Sequence, residues 1–242
     1  MDIMSRSDLV YYPVTGSTNR VMREYMDVAW EGFTVVAGEQ TCGRGRMGRS
    51  FLSPKGGLYM SVLLKPEKDS FSLITAAAAV AVSNVLKERF GVKCGIKWVN
   101  DLLLDGKKVC GILAESVFDT NGSPKAVILG IGIDMAYPED GFPDEIKDIA
   151  GALGVNLTAD EKLDLAEEIS RVIVDLYPHP EKIVPAYRKR SAVIGKDIFV
   201  IRNGVSVPAR AVDIDGECGL VADFGMHTEV LRTGEISIRI KD

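Results

Sequence analysis

With 242 residues, 46% of them hydrophobic, the chain is long enough to bury a full core as one large domain or one domain with a small appendage. Its formal net charge of −5 argues against wholesale binding to nucleic acid, which leaves a basic footprint over a domain. Cys42, Cys94, Cys110 and Cys218 are widely spaced and form no C-x-x-C pair, so they fit reduced thiols better than a zinc site or a disulfide framework.

The first eight residues carry charge without an apolar core, unlike a secretory signal. Residues 10–14 form a short β-like run that leads into Thr15-Gly16-Ser17-Thr18-Asn19. Val21, Met22, Tyr25, Met26 and Ala29 then recur at helical spacing, with Ser17 or Thr18 at the cap. Plain capping fits this helix start, and so does reception of an anion or polar ligand group by its free N–H groups. Residues 33–37 and 58–64 read as two buried strands, with Ser53-Pro54-Lys55-Gly56-Gly57 as a turn before the second.

A helix starting at Ser70 or Ser72 has the inward stripe Ile74, Ala77, Ala78, Ala81, Val82, Val85 and Leu86, and ends near Gly91. It is short and interrupted by Thr75, Ser83 and Asn84, so it is not a membrane span, and a soluble, cytoplasmic protein is expected. Strand character follows at residues 92–98, 101–104 and 109–115, with Asp105-Gly106 as a hairpin turn. After a second turn at Asn121-Gly122, residues 126–134 are apolar throughout, a central strand whose glycines mark close approach of a ligand or backbone.

Thr158-Ala159-Asp160-Glu161 is a capping box that opens a helix through Leu163, Ala166, Ile169, Ile173 and Leu176, and residues 181–189 form a second short helix. From about residue 191 the pattern becomes short alternating strands with tight turns, of a density that suits a small SH3-like barrel. A domain boundary near Arg190 therefore divides residues 1–190 from 191–242.

Between the strands at 33–37 and 58–64 lies Gly38-Glu39-Gln40-Thr41-Cys42-Gly43-Arg44-Gly45-Arg46-Met47-Gly48-Arg49. Glycine lets a ligand approach the main chain, and arginine offers a planar fork of donors to carboxylate or phosphate. On its own the segment fits an anion-binding loop, an exposed basic turn or a nonspecific RNA-binding segment. Its positive charge stands in an acidic protein, which favours a small anionic ligand over a polyanion. With both ends fixed by strands, it has the arrangement of a lid that orders over a ligand. Lys97 lies at the end of an apolar strand, where it either snorkels to the surface or meets an anion. A single phosphate-bearing ligand shared with Arg44, Arg46 and Arg49 is the economical account.

The ordered series Gly16-Ser17-Thr18-Asn19, Gln40 with Gly43-Arg44-Gly45-Arg46-x-Gly48-Arg49, Ser53-Pro54-x-Gly56-Gly57-Leu58-Tyr59, Lys97-Trp98-x-Asn100-Asp101, Lys108-x-x-Gly111-Ile112-Leu113, Gly130-Ile131-Gly132-Ile133 and Gly234-Glu235-Ile236 resembles the motif series of biotin protein ligases. The resemblance implies an α+β catalytic domain, with helices packed on a mixed sheet as in class II aminoacyl-tRNA synthetases, followed by the small barrel. It also implies activation of biotin with MgATP to biotinyl-5′-AMP, then transfer to a lysine of a carboxylase biotin carboxyl carrier domain. Carried over residue by residue, Ser17, Thr18, Asn19, Gln40 and Gly43 would hold biotin, and Gly111 and Leu113 would line its tail channel. Arg44 and Arg46 would close over carboxylate and phosphates, while Lys97 would bridge the carboxylate and the α-phosphate. Arg49, Phe51, Asn100 and Asp134 would lie near the nucleotide, with Asp134 also near magnesium.

Three positions depart from the family pattern, which usually has Pro at Val99, Trp at Phe51 and Asn at Asp134. Phe51 keeps an aromatic face and loses the indole N–H. A carboxylate at 134 would repel a triphosphate unless Mg²⁺ lies between them, so strong metal dependence is expected. The motifs begin at Gly16, so the N-terminal DNA-binding module of some family members, and transcriptional repression with it, is not expected. A homodimer is implied by resemblance alone. A lipoate-protein ligase and a non-catalytic biotin or nucleotide binder are the alternatives. His179 and His227 are read as surface or structural.

Overall fold

The computed structural model describes residues 4–6, 8–66, 73–232 and 236–240. Its main sheet contains β1 (Met4–Arg6), β2 (Leu9–Tyr12), β3 (Thr34–Ala37), β4 (Leu58–Leu64), β5 (Gly95–Lys97), β6 (Asp101–Leu104), β7 (Lys107–Phe118) and β8 (Pro124–Ile133). The spatial order is β1-β2-β3-β4-β8-β7-β6-β5, with β2 and β3 parallel and the other pairs antiparallel. The sheet is therefore mixed, and β8 sits inside it, as its unbroken apolar run predicts. Strand β1, in the charged N-terminal stretch, carries no comparable sequence signal.

Alternation sends neighbouring residues to opposite faces. Val35, Leu63 and Ile128 pack in the cluster under α1 (Thr18–Tyr25). Val36, Val62 and Leu129 join the larger core beneath α2 (Ile74–Phe90), α3 (Ala159–Leu176) and α4 (Pro180–Lys189). The predicted stripe of α2 is buried, and so are Ala76, Ala79 and Val80, because α3 and α4 flank the helix while the sheet covers its base. Gly91 ends α2 in the left-handed conformation (φ 71°). The expected start at Ser70 or Ser72 lies outside the described residues, as does the Gly234-Glu235 part of the last motif. Among the described residues, no helix is long and apolar enough to cross a membrane.

A second, five-stranded antiparallel sheet is formed by β9 (Asp197–Arg202), β10 (Val205–Ile214), β11 (Leu220–Asp223), β12 (Thr228–Leu231) and β13 (Ile236–Ile240), in the order β12-β11-β10-β9-β13. Asn203 and Gly204 make its first turn with φ of 50° and 77°, the left-handed pair that an Asn-Gly hairpin requires. This sheet docks on the β5 edge of the main one. Ile96 donates its N–H to Arg190 O (2.7 Å) and accepts from Ala192 N (2.8 Å). Trp98 Nε1 donates to Cys218 O (3.1 Å), and the Tyr187 hydroxyl donates to Val99 O (3.1 Å). The four cysteines are free thiols, three of them buried and Cys42 exposed.

The capping box of α3 forms as its sequence predicts: Glu161 N donates to Thr158 Oγ1 (3.3 Å) and Thr158 N donates to Glu161 Oε2 (2.8 Å). Replacing Thr158 by Ala removes an acceptor for an orphan helix N–H and should cost about 1 kcal/mol of stability, measured by urea unfolding; an unchanged midpoint would mean that the cap contributes nothing.

Candidate functional site

The face of the main sheet under α1 is stripped of side chains at its centre. Ser61, Gly130 and Leu113 lie opposite one another across β4, β8 and β7, and Tyr59, Gly132 and Gly111 form the next row. A Cβ on Gly132 would stand 2.4 Å from Phe51 Cε1, and one on Gly111 would stand 2.8 Å from Phe51 Cε2. One on Gly130 would stand 2.4 Å from Asn19 Oδ1. These glycines let the 38–57 segment and the start of α1 come down onto the sheet backbone. The opening left between them is a cavity of about 630 Å³.

Thirteen of the fourteen residues singled out from sequence line this cavity: Ser17, Thr18, Asn19, Gln40, Arg44, Arg46, Arg49, Phe51, Lys97, Asn100, Gly111, Leu113 and the metal candidate Asp134. Gly43 instead lines an adjoining opening bounded by the loop and by Leu113 and Glu115 of β7. There a Cβ would meet Phe51 O at 2.3 Å and Ser53 Oγ at 2.4 Å, so its place is needed for the loop to fold on itself. Backbone bonds pin the loop at Gln40 N to Ser53 O (3.0 Å), Cys42 N to Gly16 O (2.8 Å) and Phe51 N to Gly43 O (2.9 Å).

One end of the cavity is a hydrogen-bonded chain. Gln40 Nε2 donates to Ser53 Oγ (2.9 Å), while its Oε1 accepts from Thr18 N (2.8 Å) and Thr18 Oγ1 (3.2 Å). The Ser61 hydroxyl lies 2.8 Å from Thr18 Oγ1 and 2.6 Å from Asn19 Oδ1. Asn19 Nδ2 donates to Glu115 Oε2 (2.8 Å), so Asn19 Oδ1 is an acceptor and takes the single proton of Ser61, and the Thr18 hydroxyl divides its own proton between Ser61 Oγ and Gln40 Oε1. Ser17 occupies the N-cap position of α1 with extended backbone, yet its side chain makes no capping bond. Its hydroxyl is thus left to the cavity, although the residue is buried.

The other end is cationic. Lys108 Nζ pairs with Asp101 Oδ1 (2.7 Å) and stands 5.4 Å from the centroid of the Phe51 ring. Lys97 faces Asp101 across the β5–β6 ladder, but among the described residues it has no ion pair within 4.0 Å. Burial holds its ammonium below the ordinary lysine range, Asp101 opposes the shift, and Lys108 and Arg49 add to it. Arg46 is also lowered by burial, again opposed by Asp101. Its Nη1 reaches Asn100 Oδ1 at 3.5 Å, and Asn100 Nδ2 donates to Ile112 O (2.7 Å), which fixes the amide. An anion between these groups would relieve the crowding of like charge.

Asp134 is 7% exposed, its backbone held by Val109 O and Leu153 N. Burial raises its carboxyl to about 7, with Lys108 acting against the shift. Among the described residues no three His, Cys, Asp or Glu side chains cluster as a metal site. Neither histidine lines the cavity: His179 lies beside Glu181, and His227 stacks on Phe224. The Trp98–Val99 peptide is cis.

Sequence reasoning assigned no role to Lys108, Asp101, Glu115, Ser61 or Ser53. Lys108, Asp101 and Ser53 lie within its motifs, and Ser61 is the one serine in the apolar run 58–64. Ile201 and Ile238 of the second sheet also line the cavity, and only tertiary docking brings them there.

Residues 11–134 match the model of the biotin/lipoate A/B protein ligase family, and the chain belongs to that family. Over 170 residues it is 41% identical to the bifunctional ligase/repressor BirA of Bacillus subtilis, an alignment that takes in 69% of this chain and 51% of that protein. Over 238 residues it is 29% identical to the biotin--[acetyl-CoA-carboxylase] ligase of Mycobacterium tuberculosis, covering 92% of this chain and 85% of that one. The chain thus spans about half the length of the Bacillus relative. Among solved structures, the biotin protein ligase from Aquifex aeolicus in complex with biotin and ATP superposes with a TM-score of 0.82 at 26% identity, covering 98% of this chain and 100% of that chain.

A carboxyl raised by burial carries a stability penalty that is absent below its unfolded value of 3.8, grows as pH rises, and is complete above about 7. Asp134→Asn should therefore melt several degrees above wild type at pH 8, with the gap closing towards pH 4; a gap that is independent of pH would show that ionisation of Asp134 is not the cause.

Proposed function

We propose that this chain is a biotin protein ligase, which converts biotin and MgATP to biotinyl-5′-AMP and pyrophosphate and then biotinylates a lysine of a carboxylase biotin carboxyl carrier domain. The observation that carries the proposal is one cavity with a neutral hydroxyl-and-amide end at Ser17, Thr18 and Gln40 and a cationic end at Lys97, Lys108, Arg46 and Arg49. Biotin has the same polarity, a neutral ureido ring on an apolar tail that ends in carboxylate. The glycine floor at Gly111 and Gly132, with Leu113 beside it, suits the tail.

In the first step a carboxylate oxygen of biotin attacks the α-phosphorus of ATP; the C–O–P bond of the mixed anhydride forms and the bond to pyrophosphate breaks. This needs alignment and charge neutralisation more than a side-chain nucleophile. Lys97 bridges carboxylate and α-phosphate, joined by Lys108, whose ammonium is held at the glycine floor by Asp101 and the Phe51 face. Arg44 and Arg46 close over the same charges from the loop. In the second step the neutral amine of the carrier lysine attacks the acyl carbon, the amide forms, AMP leaves and the amine proton passes to solvent.

Phe51, Asn100 and Arg49 lie on the nucleotide side. Asp134 is a single buried carboxylate in the cavity wall, a donor set that suits Mg²⁺, which keeps several waters and phosphate oxygens rather than filling a protein cage. When bound, magnesium offsets phosphate charge, and Asp134 would hold it in the ionised form that burial otherwise disfavours. Residues 191–242 form the SH3-like domain of this reading, and residues 1–190 the catalytic one. A homodimer is proposed from resemblance, and a cytoplasmic location from composition and from cysteines that fit reduced thiols.

Lipoate is the competing acyl substrate, because the matched family includes lipoate ligases. Transfer of labelled biotin to a purified carboxyl carrier domain should require ATP, and biotin rather than lipoate should support ATP–pyrophosphate exchange; exchange with lipoate alone would replace the substrate. Lys97→Ala and Lys108→Ala should each lower biotin-dependent exchange roughly 100-fold or more while biotin still binds, and unchanged turnover in either removes that lysine from the role. Mg²⁺ titrations of wild type and Asp134→Asn should diverge, the wild type depending more steeply on the metal; coincident curves would rule out a metal role for Asp134.

A further inference from the structure

The hydrogen-bonded chain at the neutral end begins and finishes on the same loop. It leaves at Gln40 and Ser53, crosses Thr18, Ser61 and Asn19, and reaches Glu115 on β7. Glu115 Oε1 then lies 3.7 Å from Arg44 Nη1 and 3.6 Å from Arg23 Nη2. Its carboxylate is only partly exposed, with 22% of the side-chain surface accessible, whereas Arg44 is 62% exposed and lines both the cavity and, with Glu115, the adjoining opening. A loop arginine with a substrate carboxylate to meet is thus already facing a carboxylate of the protein.

We propose that Glu115 is a positioning residue that holds Arg44 in reserve, and that the carboxylate of biotin takes Glu115's place on the guanidinium when the loop closes. The inference rests on the biotin reading above. Glu115 keeps its bond to Asn19 throughout, so the exchange moves the loop without disturbing the polar chain beneath it. The Arg44–Glu115 attraction is lost on binding and counts against affinity. An exposed pair of this kind contributes a few tenths to about 1 kcal/mol, which is roughly a two- to five-fold effect on a dissociation constant.

Glu115→Gln removes the charge and leaves an oxygen to accept from Asn19. Calorimetric titration of the full chain with biotin, without ATP, should give binding about two- to five-fold tighter in Glu115→Gln than in wild type at low ionic strength. The gain should shrink in 0.5 M NaCl, on the order of a 4 Å screening length, and vanish in an Arg44→Gln background. Equal or weaker binding by Glu115→Gln, or a gain that persists without Arg44, overturns the proposal. Failure of wild type to bind biotin would instead overturn the biotin reading. Hydrogen exchange of ligand-free Arg44→Gln gives a second test that does not need the Glu115 variant: loop amides at 43–48 should exchange faster than in wild type, and unchanged protection counts against the latch.

Discussion

Everything at the site depends on backbone being laid bare in the middle of the main sheet. Gly111 and Gly132 face each other across β7 and β8, and Gly130 lies one row along. With any side chain at these positions, Phe51 and Asn19 would have to lift away. The loop would lose its seat and the start of α1 its contact with Glu115. The absence of three methyl groups thus decides where two otherwise unrelated segments meet, and the cavity is the space that remains between them.

Onto that floor the chain sets two chemistries that are kept apart. At one end, the Gln40 and Asn19 amides and the Thr18, Ser61 and Ser53 hydroxyls bond to one another, while the Ser17 hydroxyl is left to the cavity. At the other, Lys97, Lys108 and Arg46 gather near the Asp101 carboxylate with Arg49 close to Lys97 and Arg46, and burial works against the charge of Lys97 and Arg46. A preorganised cationic site of this type is stabilised by the anion it receives, so the free energy of binding goes into charge neutralisation at the reacting atoms.

Much of this was legible in the sequence, because local rules dominate where the chain is regular. The run 58–64 reproduces β4, the Asp105-Gly106 and Asn203-Gly204 turns take left-handed φ values, and Thr158 with Glu161 caps α3. The arginine-glycine loop and the helix start at Ser17 could be singled out from composition and spacing. The proton order along Gln40, Thr18, Ser61 and Asn19 could not, since it depends on strand register between segments over 40 residues apart. Lys108 carries no role in the sequence beyond its place in a motif, and only the folded sheet shows that it pairs with Asp101. The burial of Ala76, Ala79 and Val80 on α2 was hidden for the same reason: the helices that flank it come from residues 159–189.

The docking of the second sheet has a consequence for how the molecule can change. Its attachment to the main sheet runs through Ile96, Trp98, Val99 and Tyr187, while Ile201 and Ile238 reach the cavity from the far side of that joint. Repacking at Cys218 or along β9 and β13 would therefore shift one wall of the cavity while leaving the glycine floor, the polar chain and the cationic cluster untouched. Ligand shape and ligand chemistry are written in separate parts of the chain, and drift in one need not disturb the other.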